Sequence, residues 1–130
     1  MASIRYIAND IDQSVDFYRD RLGFEVEKHN PGKFAEMTSE DLHLFLNAPG
    51  AGSAGKAGGN PEPGGWNRFM LVTDDLDGMI DKLREAGASF RGEVAEGAGR
   101  QILLQDPSGN VVELFEYAKR PSGTAAEKPA

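Results

Sequence analysis

Apolar and polar positions alternate from the first residues of the chain. Ile4, Tyr6 and Ala8 alternate with Arg5, Ile7 and Asn9, the two-residue period of a strand with two unlike faces. Asp10 then stands three residues before Gln13, the spacing of an N-cap and its capping-box partner. Ile11, Val15, Tyr18 and Leu22 recur at spacings of four, three and four, one apolar stripe on a helix of about three turns. Gly23 follows, where a left-handed C-cap suits glycine. Three short strands are expected next, over residues 24–29, 33–37 and 42–46, parted by Asn30-Pro31-Gly32 and Ser39-Glu40-Asp41.

The plan then repeats. Residues 68–73 have strand character, Asp74-Asp75 supplies a cap, and Leu76, Met79, Ile80 and Leu83 form the stripe of a helix ending at Gly87. Strands are expected over 89–94, 100–104 and 111–117, with Asp106-Pro107-Ser108-Gly109-Asn110 as a turn. Asp10-Ile11-Asp12 matches Asp75-Leu76-Asp77 at an offset of 65 residues, and Gly23 matches Gly87 at 64. Both halves are thus β-α-β-β-β. One helix covers only one face of a four-stranded sheet, so the other face of each half needs the second half, another subunit or a ligand.

Residues 47–65 join the halves and contain seven glycines and three prolines. A stretch so long and so poor in apolar residues is a connector or a binding lid. The expected organisation is one domain over 1–118, with module one at 1–46, the linker at 47–65 and module two at 66–118. Residues 119–130 form a flexible tail, small and charged in composition.

Charge and composition narrow the partners. The 130 residues carry 14 Lys and Arg against 21 Asp and Glu, a net charge of −7 that repels nucleic acid. The absence of cysteine removes disulfides, thiolate nucleophiles and zinc–thiolate sites. No apolar run approaches the roughly 20 residues of a membrane span. Met1 to Tyr6 shows no basic region followed by an apolar run. A cytoplasmic protein with no nucleic-acid or membrane partner is expected.

The run Asn9-Asp10-Ile11-Asp12-Gln13-Ser14-Val15-Asp16-Phe17-Tyr18, then Leu22-Gly23-Phe24, has a counterpart in Thr73-Asp74-Asp75-Leu76-Asp77, Gly87 and Asp106-Pro107-Ser108-Gly109-Asn110-Val111-Val112-Glu113-Leu114. Together these resemble the vicinal-oxygen-chelate superfamily, which includes glyoxalase I, bleomycin-resistance proteins and extradiol dioxygenases. The resemblance covers about residues 3–117. It implies an α+β fold in which two βαβββ modules form a partly closed mixed-sheet barrel around a cavity, and a homodimer.

In metal-using members the resemblance implies ligands at four places, which fall here on Ser3, His43, Arg68 and Glu113. His43 and Glu113 suit a divalent metal such as Zn, Ni, Fe or Mn. Serine is a poor neutral ligand, and arginine stays protonated with no lone pair to give. A catalytic site needs about three protein ligands and an open position. No metal or other cofactor is therefore expected, an atypical metal site on His43 and Glu113 being the alternative. An Arg68–Glu113 pair would be a structural filler, or would orient a carboxylate, phosphate or amide of a ligand. His43 and Glu113 acting as a metal-free acid–base pair is a further alternative. His29, beside Asn30-Pro31-Gly32, is an exposed strand-end residue.

Strand parity sorts the remaining side chains. With Ser3, Arg68 and Glu113 facing the cavity, the ligand-binding set is Arg5, Ile7, His43, Phe45, Trp66, Arg68, Met70, Leu103, Glu113 and Phe115. Ile4, Tyr6, Phe69, Leu71, Val112 and Leu114 should pack under the helices. No catalytic residue is assigned. The mixed lining suits a small aromatic or amphipathic compound. The expected function is metal-independent binding or sequestration of a small organic, drug-like molecule, as in bleomycin-resistance proteins. The alternatives are a glyoxalase-like lyase, isomerase or dioxygenase, and an interaction protein with a filled pocket.

Overall fold

The structure is a computed structural model that describes residues 2–51 and 60–118. Ten elements follow in chain order: β1 (Ser3–Ile7), α1 (Ile11–Leu22), β2 (Glu25–Asn30), β3 (Phe34–Ser39), β4 (Leu42–Asn47), β5 (Arg68–Val72), α2 (Leu76–Glu85), β6 (Ser89–Glu96), β7 (Gly99–Gln105) and β8 (Val111–Tyr117). The chain divides into two compact units, Met1–Asn67 with Gln105–Val111, and Arg68–Leu104 with Val112–Ala130. Part of the expected linker, residues 52–59, and the expected tail, 119–130, lie outside the described residues. No helix among the described residues is long and apolar enough to cross a membrane.

The helix ends form as their sequences require. Asp10 caps α1, its Oδ1 accepting the Gln13 N–H at 3.0 Å. Gly23, at φ 74°, closes the other end, and the Phe24 N–H reaches back to the Tyr18 carbonyl at 2.9 Å. That bond explains why β2 begins at Glu25, one residue later than the pattern suggests. Phe24 belongs to the helix stop and is buried. In α2, Asp75 Oδ1 accepts the Gly78 N–H at 3.0 Å. The Ala88 N–H bonds the Leu83 carbonyl at 2.9 Å across Gly87, whose φ is 82°.

In the first unit the sheet order is β1-β4-β3-β2. β1 runs parallel to β4, and β3 runs antiparallel to β4 and to β2. Tyr6, Ala35, Met37, Leu44 and Leu46 are buried, as are Ile11, Val15 and Tyr18 of α1, which packs on β2, β3 and β4. In the second unit the order is β5-β8-β7-β6. Its buried residues are Phe69, Leu76, Ile80, Leu83, Ile102, Leu104, Val112 and Leu114.

The expected partly closed barrel is not formed. The two four-stranded sheets are separate and open, with β1 and β2 as edges of one and β5 and β6 as edges of the other. Closure needs every strand hydrogen-bonded on both sides. β2 is unsuited to that: all six of its residues are exposed, Lys28 and two glutamates lie along it, and its register shifts between Val26 and Lys28. Charge and a bulge are the usual ways an edge strand refuses a further partner.

The Asp106–Asn110 turn does more than reverse the chain. Asp106 is 5% exposed and collects four hydrogen bonds within the first unit. The Tyr18 hydroxyl donates to its Oδ2 at 2.9 Å, as does Asn110 Nδ2 at 3.0 Å. The N–H groups of Ser108 and Asn110 donate to Oδ1 at 2.9 and 2.8 Å. Asn110 Nδ2 also donates to the Ile7 carbonyl at 2.7 Å, and the Tyr6 hydroxyl to the Val111 carbonyl at 2.7 Å.

Asp106→Ala strands these donors and should lower stability by about 3 kcal/mol in urea denaturation; a loss under about 1 kcal/mol would contradict the network's role. Burial also pushes the Asp106 carboxyl above its ordinary 3.8, against the hydrogen bonds that favour ionisation. The folded state therefore holds this proton more tightly than the unfolded chain does. The associated stability is fully present below 3.8 and is lost as pH rises through the raised folded value. The stability advantage of the native chain over Asp106→Asn should shrink across that window, read from denaturation curves at successive pH values.

Candidate functional site

α1 packs on one face of the first sheet, and in both sheets the anticipated strand residues alternate with the buried ones. In the first unit the register places Ser3 opposite His43, Arg5 opposite Phe45 and Ile7 opposite Asn47. Thr38, Glu36 and Phe34 of β3 continue those three rows. Cross-strand neighbours share a face, so Arg5, Ile7, His43 and Phe45 come together. Their neighbours one residue along, Tyr6, Leu44 and Leu46, are the buried ones. The Arg5 guanidinium lies over the Phe45 ring at 5.0 Å, and His43 meets the same ring edge-on at 5.8 Å.

Glu36 belongs to this cluster, although it is not among the expected site residues. Its Oε2 is 3.2 Å from His43 Nε2, and both side chains are largely covered. The available signal was strand alternation, since Glu36 lies between buried Ala35 and Met37. His43 also lines a cavity of about 380 Å³ at the β3–β4 turn, with Thr38, Glu40, Asp41, Leu42 and Ala2. His29 lies on the helix side, with its Nε2 2.7 Å from Asp12 Oδ1.

In the second unit, Arg68 Nε donates to Glu113 Oε1 at 2.9 Å. The glutamate side chain is 12% exposed and the arginine 34%. Met70 is exposed, while Phe69 beside it is buried. Leu103 is half-buried between buried Ile102 and Leu104, which places it on the uncovered face with Phe115. Phe115 stacks edge-on with Tyr117 at 4.7 Å and lies close to Gly99. A Cβ on Gly99 would meet the Glu116 carbonyl oxygen at 2.3 Å and the Phe115 ring at 2.8 Å, so glycine there permits the close approach of both. Trp66 is 68% exposed, in the segment before β5.

Residues 1–114 match the family model of the Glyoxalase/Bleomycin resistance protein/Dioxygenase superfamily. The chain belongs to this superfamily. Over 111 residues it is 30% identical to biphenyl-2,3-diol 1,2-dioxygenase 3 of Rhodococcus globerulus, covering 82% of this chain but only 57% of that enzyme. Among solved structures, lactoylglutathione lyase from Agrobacterium tumefaciens superposes with a TM-score of 0.73 at 23% identity, covering 89% of this chain and 92% of that one. TnmS3, an antibiotic binding protein from Streptomyces sp. CB03234, superposes with a TM-score of 0.64 at 24% identity, over 91% of this chain and 97% of that one. These two structures share the fold.

Ser3, His43, Arg68 and Glu113, the places to which the resemblance assigns metal ligands, do not offer a donor set. Ser3 offers a neutral hydroxyl, and Arg68 offers a protonated guanidinium. Glu113 is engaged by Arg68, and His43 by Glu36. Among the described residues no group of three or more His, Cys, Asp or Glu could hold a metal ion. The residues present thus do not fit the superfamily's metal centre.

The Arg68–Glu113 contact should be energetically real, since the carboxylate is mostly covered. A double-mutant cycle with Arg68→Ala and Glu113→Ala should give a coupling of about 0.5–1 kcal/mol in urea denaturation. A coupling indistinguishable from zero would make the pair a passive surface contact.

Proposed function

We propose that the protein binds or sequesters a small organic molecule without a metal, the ligand lying against the uncovered sheet faces of a homodimer. The observation that carries this reading is the Arg68–Glu113 hydrogen bond at 2.9 Å. A guanidinium, at a place to which the resemblance assigns a metal ligand, engages Glu113. It supplies a fixed positive charge and directed N–H donors, which suit recognition, where a metal would supply Lewis acidity. Arg5, Ile7, His43 and Phe45 on the first sheet, and Met70, Leu103 and Phe115 on the second, add apolar area and polar anchors of the kind small-molecule sites combine, and Trp66 is an exposed aromatic ring. The resemblance in fold to TnmS3, named as an antibiotic binding protein, supports the same class.

A metal-assisted reading draws support from the 30% identity to the dioxygenase. The two readings part on one preparation. Elemental analysis of the purified protein should find no stoichiometric divalent metal, and a panel of neutral aromatic compounds should include members that raise the melting temperature. Phe115→Ala should reduce that rise. A stoichiometric metal lost on His43→Ala or Glu113→Ala would replace the binder reading with the enzymatic one.

A further inference from the structure

Among the described residues, the most exposed large apolar side chain is Trp66, at 68%, against 40% for Met70 and Val72. A single exposed ring is ordinary on a surface. This one is set apart by how the chain around it is held. Upstream, Pro61 and Pro63 fix φ at two of three successive positions and stiffen the approach. The Gly64 N–H then donates to Asn110 Oδ1 at 2.7 Å. Asn110 is 4% exposed, and its Nδ2 donates to the Ile7 carbonyl at 2.7 Å and to Asp106 Oδ2 at 3.0 Å. Turning that amide over would set N–H against N–H, so its orientation is locked. One buried amide group thus latches the segment to the C-terminal end of β1.

Beyond the latch the hold slackens. Gly64 and Gly65 have φ of 101° and 92°, a region open to glycine and strained for other residues. Trp66 and Asn67 after them are both exposed. The Asn67 carbonyl meets the Tyr6 hydroxyl only at 3.5 Å, while the short bond of that hydroxyl, at 2.7 Å, goes to Val111. A tight anchor, two glycines and a loose far end are the parts of a hinged strap. Ile7 alternates with buried Tyr6 and Ala8, so it stands on the uncovered face of the first sheet. Asn47 and Phe34 continue its row. Trp66 lies two residues past the latch, at most about 7 Å of chain. With the length of the indole added, that row is within its reach.

We propose that residues 61–67 form a strap that pivots at Gly64–Gly65 and lays Trp66 over the Ile7 end of this face, closing on a flat neutral aromatic ligand. The ligand ring stacks against the indole on one side and rests on Ile7 and Phe34 on the other. The row offers apolar surface and one neutral amide, which suits an uncharged ring. The proposal rests on the small-molecule reading above and gives that reading a sheet face and a moving part.

Trp66 is the sole tryptophan, so the emission of the full chain reports on it alone. Titration with 1,3-dinitrobenzene, a flat neutral quencher, should quench it saturably, beyond the linear collisional quenching of N-acetyltryptophanamide. Ile7→Lys should weaken half-saturation by about fivefold, the worth of roughly 1 kcal/mol of apolar contact. Phe34→Ala should act in the same direction. The Gly64 amide should stay protected from hydrogen exchange with and without the compound, since the latch holds while the ring moves. Collisional quenching only, saturable quenching that neither substitution weakens, or a Gly64 amide exchanging at the unprotected rate overturns the strap. Melting shifts from the neutral aromatic panel without saturable quenching would remove the strap and keep the wider binder reading. No melting shift with any compound would remove the binder reading itself.

Discussion

A carboxylate almost out of reach of water is the constraint on which the first unit depends. Asp106 is buried beneath α1, and burial works against its ionised form. Four donors offset that cost, and they come from Tyr18, Ser108 and Asn110. Tyr18 is also the centre of the apolar stripe of α1, its ring edge-on to Phe17 at 5.3 Å and to Phe24 at 5.4 Å. The polar pin thus sits inside the hydrophobic contact. Burial, and after it the Asp106 carboxylate, hold the Tyr18 hydroxyl in its protonated form, so the tyrosine stays a donor. A helix anchored at that point has little freedom to rotate its stripe off the sheet.

Anchoring the helix decides which face of each strand stays uncovered. Strands alternate, so fixing which side chains go under α1 fixes which ones stand away from it. Tyr6, Leu44 and Leu46 are buried, and Arg5, His43 and Phe45 are therefore turned to the other face. The same division separates Phe69, Val112 and Leu114 from Met70, Glu113 and Phe115 in the second unit. The core requirement and the candidate site are two consequences of one alternation. A chain that satisfies the first places the second without further instruction.

This is also why the division of the strands into covered and uncovered faces was legible. The caps at Asp10 and Asp75, the glycine stops and the strand parity are local properties, readable within a few residues. Sheet closure is not local. It depends on whether two distant edges accept each other, and the charges of β2 are ordinary for any exposed strand until its bulge is known. The role of Asp106 was hidden for the same reason. Its turn chemistry is visible in Asp106-Pro107-Ser108-Gly109-Asn110, but its partner Tyr18 is 88 residues earlier. Glu36 and Asn47 were missed because their value comes from register. Glu36 matters through His43 and Asn47 through Arg5, and both are cross-strand relations.

An arginine at a place to which the resemblance assigns a metal ligand bears on what such a site can do. A metal-binding histidine must be neutral and holds its ion by a lone pair, whereas arginine keeps its proton and repels a cation. Once Arg68 engages Glu113, the remaining charge is spread over a planar fork and offers hydrogen-bond direction without an empty orbital. Such a group orients a bound molecule strongly and activates it weakly. On the first sheet, Arg5 over Phe45 is built from the same ingredients, with Asn47 in place of the carboxylate. The neutral partner is the decisive difference. Where Arg68 has its negative charge supplied from within the chain, Arg5 is held by a neutral amide oxygen and an aromatic face.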